Sequence, residues 1–226
     1  MKSNVLTSVL LILGGFGVSA IAADDAPESF SRANQLLFFT DHLRGVEAPS
    51  VLHYAYERKA PGGQGFVDRI DLQVKQPAAG EGKNVHVRYF TGPRARELPD
   101  LENVTGNPVL SLFLQRDVNQ MAQATGGNFR YFQNRIKNAL EASAEVKAVQ
   151  VQTAQGSQPA HEVTIYPYRD PADKDKLGAY IDKQYRFVIA AALPGALHEM
   201  RSFNPGNSTV PAEEERVTYQ GRDRGE

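Results

Sequence analysis

The sequence predicts an α+β protein: a curved, mainly antiparallel β-sheet covered by a central helical hairpin and an N-terminal helix. Two observations carry that prediction. Segments on both sides of the middle of the chain alternate apolar with polar residues at a period of two, the mark of antiparallel strands with one covered face; strands of a parallel sheet read instead as continuous apolar runs. Between these segments, residues 108–142 change to a helical period and are divided by the pair Gly126-Gly127.

The chain begins MKSNVLTSVLLILGGFGVSAIAADDAPE, with one cation, Lys2, an apolar run from about Val5 to Val18, and small residues ending Ala20-Ile21-Ala22. Charge, apolar run and A-x-A in that order read as a secretory signal. Residues 1–22 are therefore expected to be removed on export, and residues 23–226 to form one α+β domain with flexible ends. The chain has no cysteine, which excludes a lipid-modified cysteine, disulfides and thiolate metal sites. The periplasm is the expected location, and no later segment is apolar enough to cross a membrane. With 25 cations, 26 anions and a formal net charge of −1, the protein has no long-range attraction for polyanions, so nucleic acid is not an expected partner.

Ser31 is placed to cap a helix running to about Arg44, with Leu36, Phe39 and Leu43 at helical spacing and Gly45 to stop it. The period then becomes two. Leu52, Tyr54 and Tyr56 share one face of a strand; Phe66, Ile70, Leu72 and Val74 share one face of the next. KAPGGQG between them is turn chemistry, so the two form a hairpin. After a second turn, QPAAGEGKN, a third strand places Val85, Val87 and Tyr89 together, and a polar connection, TGPRARELPDLENVTGN, leads to the helices.

Asn107-Pro108 starts the first helix of the hairpin, which keeps Leu110, Phe113, Leu114, Val118 and Met121 on one stripe. Asn128 caps the second, where Phe129, Phe132, Ile136 and Leu140 recur at spacings of three or four. From about Val146 four or five further strands follow, interrupted by the charged loop RDPADKDKLGAYIDKQ.

The stretch TGGNFRYFQNRIKNAL, residues 125–140, brings glycines, aromatics and cations together, which raises nucleic-acid and phosphate binding as readings. Wound into a helix, it turns Phe129 and Phe132 inward and Arg130 and Lys137 outward, whereas nucleic-acid binding needs aromatics beside cations on the surface. Its glycines follow a helix rather than a strand and lack the Lys-Ser/Thr sequel of a phosphate loop. The segment is a joint between helices, and Arg130, Arg135 and Lys137 are left as a candidate surface for a protein partner.

No residue pattern asks for a cofactor, and no metal site is expected. The five histidines, His42, His53, His86, His161 and His198, form no H-x-H or H-E-x-x-H pair. Asp173, Asp175 and Gly178 match positions one, three and six of a calcium loop, but Leu177 and Gln184 stand where ligands five and twelve belong. There is no G-x-S-x-G elbow, and no catalytic residue is assigned.

A curved sheet has a concave apolar face that must be filled or covered, and the helical hairpin is the available cover. The signal peptide, the opening helix, the strand series 51–90 and GNPVLSLFLQRD at 106–117 resemble the LolA/LppX-type periplasmic lipid and lipoprotein carriers. That resemblance implies an incomplete β-barrel covered by helices and an apolar pocket. The long second helix and the Asp-rich loop at 170–175 have no counterpart that can be mapped. The expected function is thus an exported binding or carrier protein for a lipid or other apolar ligand. Tyr54, Tyr56, Tyr89, Leu110, Phe113 and Phe132 are the candidate pocket residues. A filled core would imply instead a non-enzymatic cell-envelope accessory or interaction protein with an envelope protein as partner; a hydrolase with a dispersed site is the third reading.

Overall fold

The structure, a computed structural model, describes residues 30–75 and 82–224; the expected signal peptide and most of the turn QPAAGEGKN lie outside these residues. Nine strands form one antiparallel sheet: β1 (Ser50–Lys59), β2 (Phe66–Lys75), β3 (Lys83–Tyr89), β4 (Leu101–Val104), β5 (Glu145–Thr153), β6 (Gly156–Ile165), β7 (Gln184–Ile189), β8 (Leu197–Asn204) and β9 (Glu213–Arg224). Their spatial order is β4-β3-β2-β1-β9-β8-β7-β6-β5. Two meanders, one from each half of the chain, are joined where β1 pairs with β9, and the curved sheet does not close.

β4 and β5 follow one another in the chain yet form opposite edges of the sheet. The connection between them therefore has to cross the whole sheet, and it does so as two helices, α2 (Pro108–Thr125) and α3 (Phe129–Ala142). Ahead of β1 lies α1, an α-turn over Arg32–Asn34 that widens into a π-turn over Gln35–Phe39. A single turn, α4 (Lys174–Leu177), lies between β6 and β7. Among the described residues no helix is long and apolar enough to cross a membrane.

The caps follow the sequence. The Asn107 side chain accepts from Val109 N, Pro108 takes the first turn, and Gly126 ends α2 in the left-handed conformation (φ 66°) that a side chain disfavours. Asn128 then caps α3 by accepting from Arg130 N.

Burial follows the period-two pattern. Leu52, Tyr54 and Tyr56 of β1, Ile70, Leu72 and Val74 of β2, and Val85, Val87 and Tyr89 of β3 are buried with α2 and α3 in one apolar cluster that continues through Val163, Phe187, Met200 and Val217. The opposite face carries cross-strand charge pairs, among them Arg186 with Glu162 and Glu199.

Three local expectations change. The first helix stops at Phe39, short of Arg44: Thr40 is extended, and the next turn is held from outside, Leu43 N donating to Thr105 O at 3.0 Å. Phe39 is consequently exposed rather than on a buried stripe. The polar connection after β3 contains a short strand, β4, paired to β3 through Val85↔Leu101 and Lys83↔Val104. In the charged loop, Arg135 takes both Asp170 and Asp173 at 3.2 Å, so Asp173, the first position of the calcium-like pattern, serves with Asp170 to fasten the loop to α3.

Candidate functional site

The inward face of the sheet changes character between two neighbouring rows. Phe187 of β7, Met200 of β8, Val217 of β9 and Tyr56 of β1 lie abreast as an apolar row. The next row is Tyr185, Ser202, Glu215 and Arg58. The helix above repeats the change: Phe113, Asp117 and Met121 follow at intervals of four on the buried side of α2, placing a carboxylate between two apolar side chains.

Asp117 is fully buried and saturated with donors. Lys183 Nζ reaches its Oδ1 at 2.6 Å, Ser202 Oγ donates to the same oxygen at 2.8 Å, and the Tyr185 hydroxyl donates to Oδ2. Burial, and then the Asp117 charge, push the Tyr185 phenol well above its ordinary pKa, which keeps it a proton donor. The Tyr168 hydroxyl lies 3.1 Å from that of Tyr185 and extends the network under α3.

One residue earlier on α2, Arg116 Nη1 meets both oxygens of the buried Glu215, at 2.8 and 3.0 Å, and Gln120 Nε2 donates to one of them at 3.1 Å. Burial opposes the Arg116 charge, but Glu215 together with the Tyr56 and Tyr89 hydroxyls outweighs it, and the guanidinium pKa is raised. The same guanidinium lies 5.5 Å from the Tyr56 ring centre and 5.6 Å from that of Phe90, a cation–π contact at the border with the apolar core.

Beside these pairs a half-open cavity of about 450 Å³ lies between the second half of α2 and the strand ends. Asp117, Lys183, Ser202 and Glu215 form part of its wall, Met121 and Tyr180 supply apolar surface, and Gln123 and Ala124 stand on the exposed part of α2. The volume lies within the range of small-molecule sites. Ser202 gives its proton to a carboxylate already paired with Lys183 and bonded by Tyr185, an arrangement that holds the serine proton in place. Among the described residues no group of three or more His, Asp or Glu side chains could hold a metal ion.

The six residues expected to line an apolar pocket, Tyr54, Tyr56, Tyr89, Leu110, Phe113 and Phe132, are brought together in the main core, none more than 3 % exposed. None of the six is in the wall of the cavity; Met121 belongs to both core and cavity. Of the candidate partner cations, Arg130 and Lys137 are exposed on α3, whereas Arg135 binds Pro167 O, Asp170 and Asp173.

The cavity residues were not singled out from the sequence, although a signal for them exists. Asp117 interrupts an apolar helical stripe, and Ser202, Asn204 and Glu215 are polar residues in phase with Met200 and Val217. Polar residues at positions the pattern reserves for the core mark a buried network.

No family model matches the chain, and no curated protein matches it in sequence. Among solved structures, the lipoprotein LppX of Mycobacterium tuberculosis is similar over 78% of this chain and 87% of that chain, with 8% identity and a TM-score of 0.31. A LolA superfamily protein of Nitrosomonas europaea is similar over 86% of this chain and 94% of that chain, with 10% identity and a TM-score of 0.22. These structural neighbours are of the LolA/LppX type that the sequence resembles.

Proposed function

We propose that the protein is an exported, periplasmic binding or carrier protein for an amphiphilic ligand, a lipid or a molecule with a comparable apolar part. The observation that carries this reading is the half-open cavity at the seam where the polar and apolar rows of the concave face meet. A ligand seated there has its polar group among Lys183, Ser202 and Gln120, and its apolar part directed past Met121 toward Tyr56 and Tyr89. The core beyond, with Tyr54, Leu110, Phe113 and Phe132, is approached from this side when the second half of α2 lifts. Affinity comes from removing the ligand's apolar surface from water, at about 25 cal/mol per Å² before the entropic cost of binding.

Native mass spectrometry of the protein purified from periplasm without detergent, followed by solvent extraction, tests this reading. A discrete added mass identified as an amphiphile is the expected result. Ala124→Trp, at an exposed position on the cavity wall, should abolish the added mass while leaving thermal unfolding unchanged. An apo mass that stays unchanged after incubation with envelope lipids would overturn the carrier reading.

A further inference from the structure

We propose that the cavity is selective for a neutral, polyhydroxylated group, a sugar, rather than for a phosphate, carboxylate or amine. The inference rests on the carrier reading and names the polar part of its ligand.

Charge balance inside the wall is the first reason. Asp117 has Lys183 at 2.6 Å, Glu213 has Arg58 at 2.5 Å, and Glu215 has Arg116 at 2.8 Å. Each carboxylate of the site is matched to a cation before any ligand arrives. An anionic ligand has to take Lys183 or Arg58 from its carboxylate, and an amine has to take a carboxylate from its cation. Either exchange leaves a charge unpaired in a region where Asp117, Lys183 and Glu215 are all buried, which is strongly unfavourable.

The second reason is the hydrogen-bonding capacity that remains. Lys183 uses one of its three protons on Asp117, and Ser202, having donated to Asp117, keeps its lone pairs. Asn204 is buried and lines the cavity; its Oδ1 accepts from Gly206 N at 3.4 Å, and its Nδ2 has no hydrogen bond among the described residues. The Gln120 amide nitrogen is committed to Glu215, which leaves its oxygen as an acceptor. Free donors and free acceptors therefore line one space together, as groups that both give and accept protons require. Hydroxyls do both; phosphate and carboxylate only accept. Tyr180 and Met121 complete the wall with apolar surface, against which the C–H face of a sugar ring fits.

The test is a calorimetric titration of the purified protein with three probes: n-octyl glucoside below its micelle concentration, maltose, and short-chain phosphatidylglycerol. The expected order is glucoside bound at least tenfold more tightly than phosphatidylglycerol. Maltose bound as tightly as the glucoside identifies a free sugar as the source of the chemistry; maltose unbound beside a bound glucoside identifies a glycosylated lipid. Asn204→Ala should weaken glucoside binding about tenfold, the effect of one lost buried hydrogen bond. Phosphatidylglycerol bound as well as or better than glucoside overturns the sugar assignment while the carrier reading stands. Binding of none of the three overturns the sugar assignment; an amphiphile extracted from the periplasmic protein in that case still upholds the carrier reading. The probe series on the unaltered protein decides the matter without the variant.

Discussion

The two halves of α2 lie over the same sheet and are held to it by different forces. From Pro108 to Gln115 every residue is buried, and its apolar side chains belong to the main core cluster. From Arg116 onward the apolar attachment narrows to Val118 and Met121, two buried ion pairs are added to it, and Gln123 and Ala124 are exposed. Apolar packing is non-directional and is lost gradually as surfaces separate. Ion pairs are directional, and water entering the cavity can replace their hydrogen bonds one by one. The first half of the helix is therefore the fixed end and the second half the end able to move.

The fixed end is secured further by a polar knot at Asn107. Its Nδ2 donates to Tyr54 Oη at 2.8 Å and to Gly195 O at 2.9 Å, and its backbone N–H donates to His42 Nδ1 at 3.1 Å. Gly195 has to be glycine here: its φ is +75°, and a Cβ would come within 2.7 Å of Leu52 Cδ1. Three distant parts of the chain thus meet at the start of α2.

The largest expected effect tests the apolar half. Phe113→Ala removes a fully buried ring and should cost about 4 kcal/mol in urea unfolding, within the range for aromatic truncation in a core. A loss below about 1 kcal/mol would show that the helix is not packed tightly against the sheet at this point.

Next in size is the ionic half. Asp117→Ala strands Lys183 in a buried site and should cost about 3 kcal/mol. Replacing both partners, as Asp117→Leu with Lys183→Met, should recover most of that loss, because the penalty lies in the unpaired charge rather than in the absence of the pair. A double variant as unstable as the single one would assign the loss to Ser202 and Tyr185 instead. Hydrogen exchange should show the amides of residues 117–125 opening more readily than those of 109–115 in the unaltered protein.

Much of this architecture is legible in the sequence because it follows from periodicity. The alternation of Leu52, Tyr54 and Tyr56 and the stripe Leu110, Phe113, Leu114 are local patterns, and the sheet and helical hairpin follow from them. β4 escaped because four residues, Leu101–Val104, are too few to show a period and include two exposed polar ones. The cavity escaped for another reason. Arg58, Asp117, Lys183 and Glu215 are spread over more than half the chain: Asp117 is carried in by the crossing helix, Lys183 stands just ahead of β7, and the β1–β9 junction sets Arg58 beside Glu215. That junction is a contact between residues far apart in sequence, which no period encodes. What local pattern does contain is the anomaly of Asp117 between Phe113 and Met121, a polar residue where the core is expected.

The smallest effect concerns the fixed end and its response to acid. Asn107 N donates to His42 Nδ1, so the His42 proton resides on Nε2, which donates to Leu36 O at 2.8 Å. A second proton would have to enter at Nδ1 and break the contact with Asn107. Burial lowers the pKa of His42 from its ordinary 6.5, outweighing the opposing effects of Leu36 O and Asp41. With a folded-state pKa below the unfolded one, the unfolded chain binds the extra proton first as the pH falls. Stability contributed here is complete above pH 6.5 and declines on acidification toward the folded-state pKa, by at most about 1.4 kcal/mol per pH unit. His42→Gln removes the titration and retains a hydrogen-bonding side chain. The stability advantage of the unaltered protein over this variant should therefore shrink between pH 7 and pH 5, while the gap between unaltered and Phe113→Ala proteins stays constant. An advantage over His42→Gln that is independent of pH would mean that the histidine ring leaves Asn107 without cost, and that the first turn of α2 is as free to move as the last.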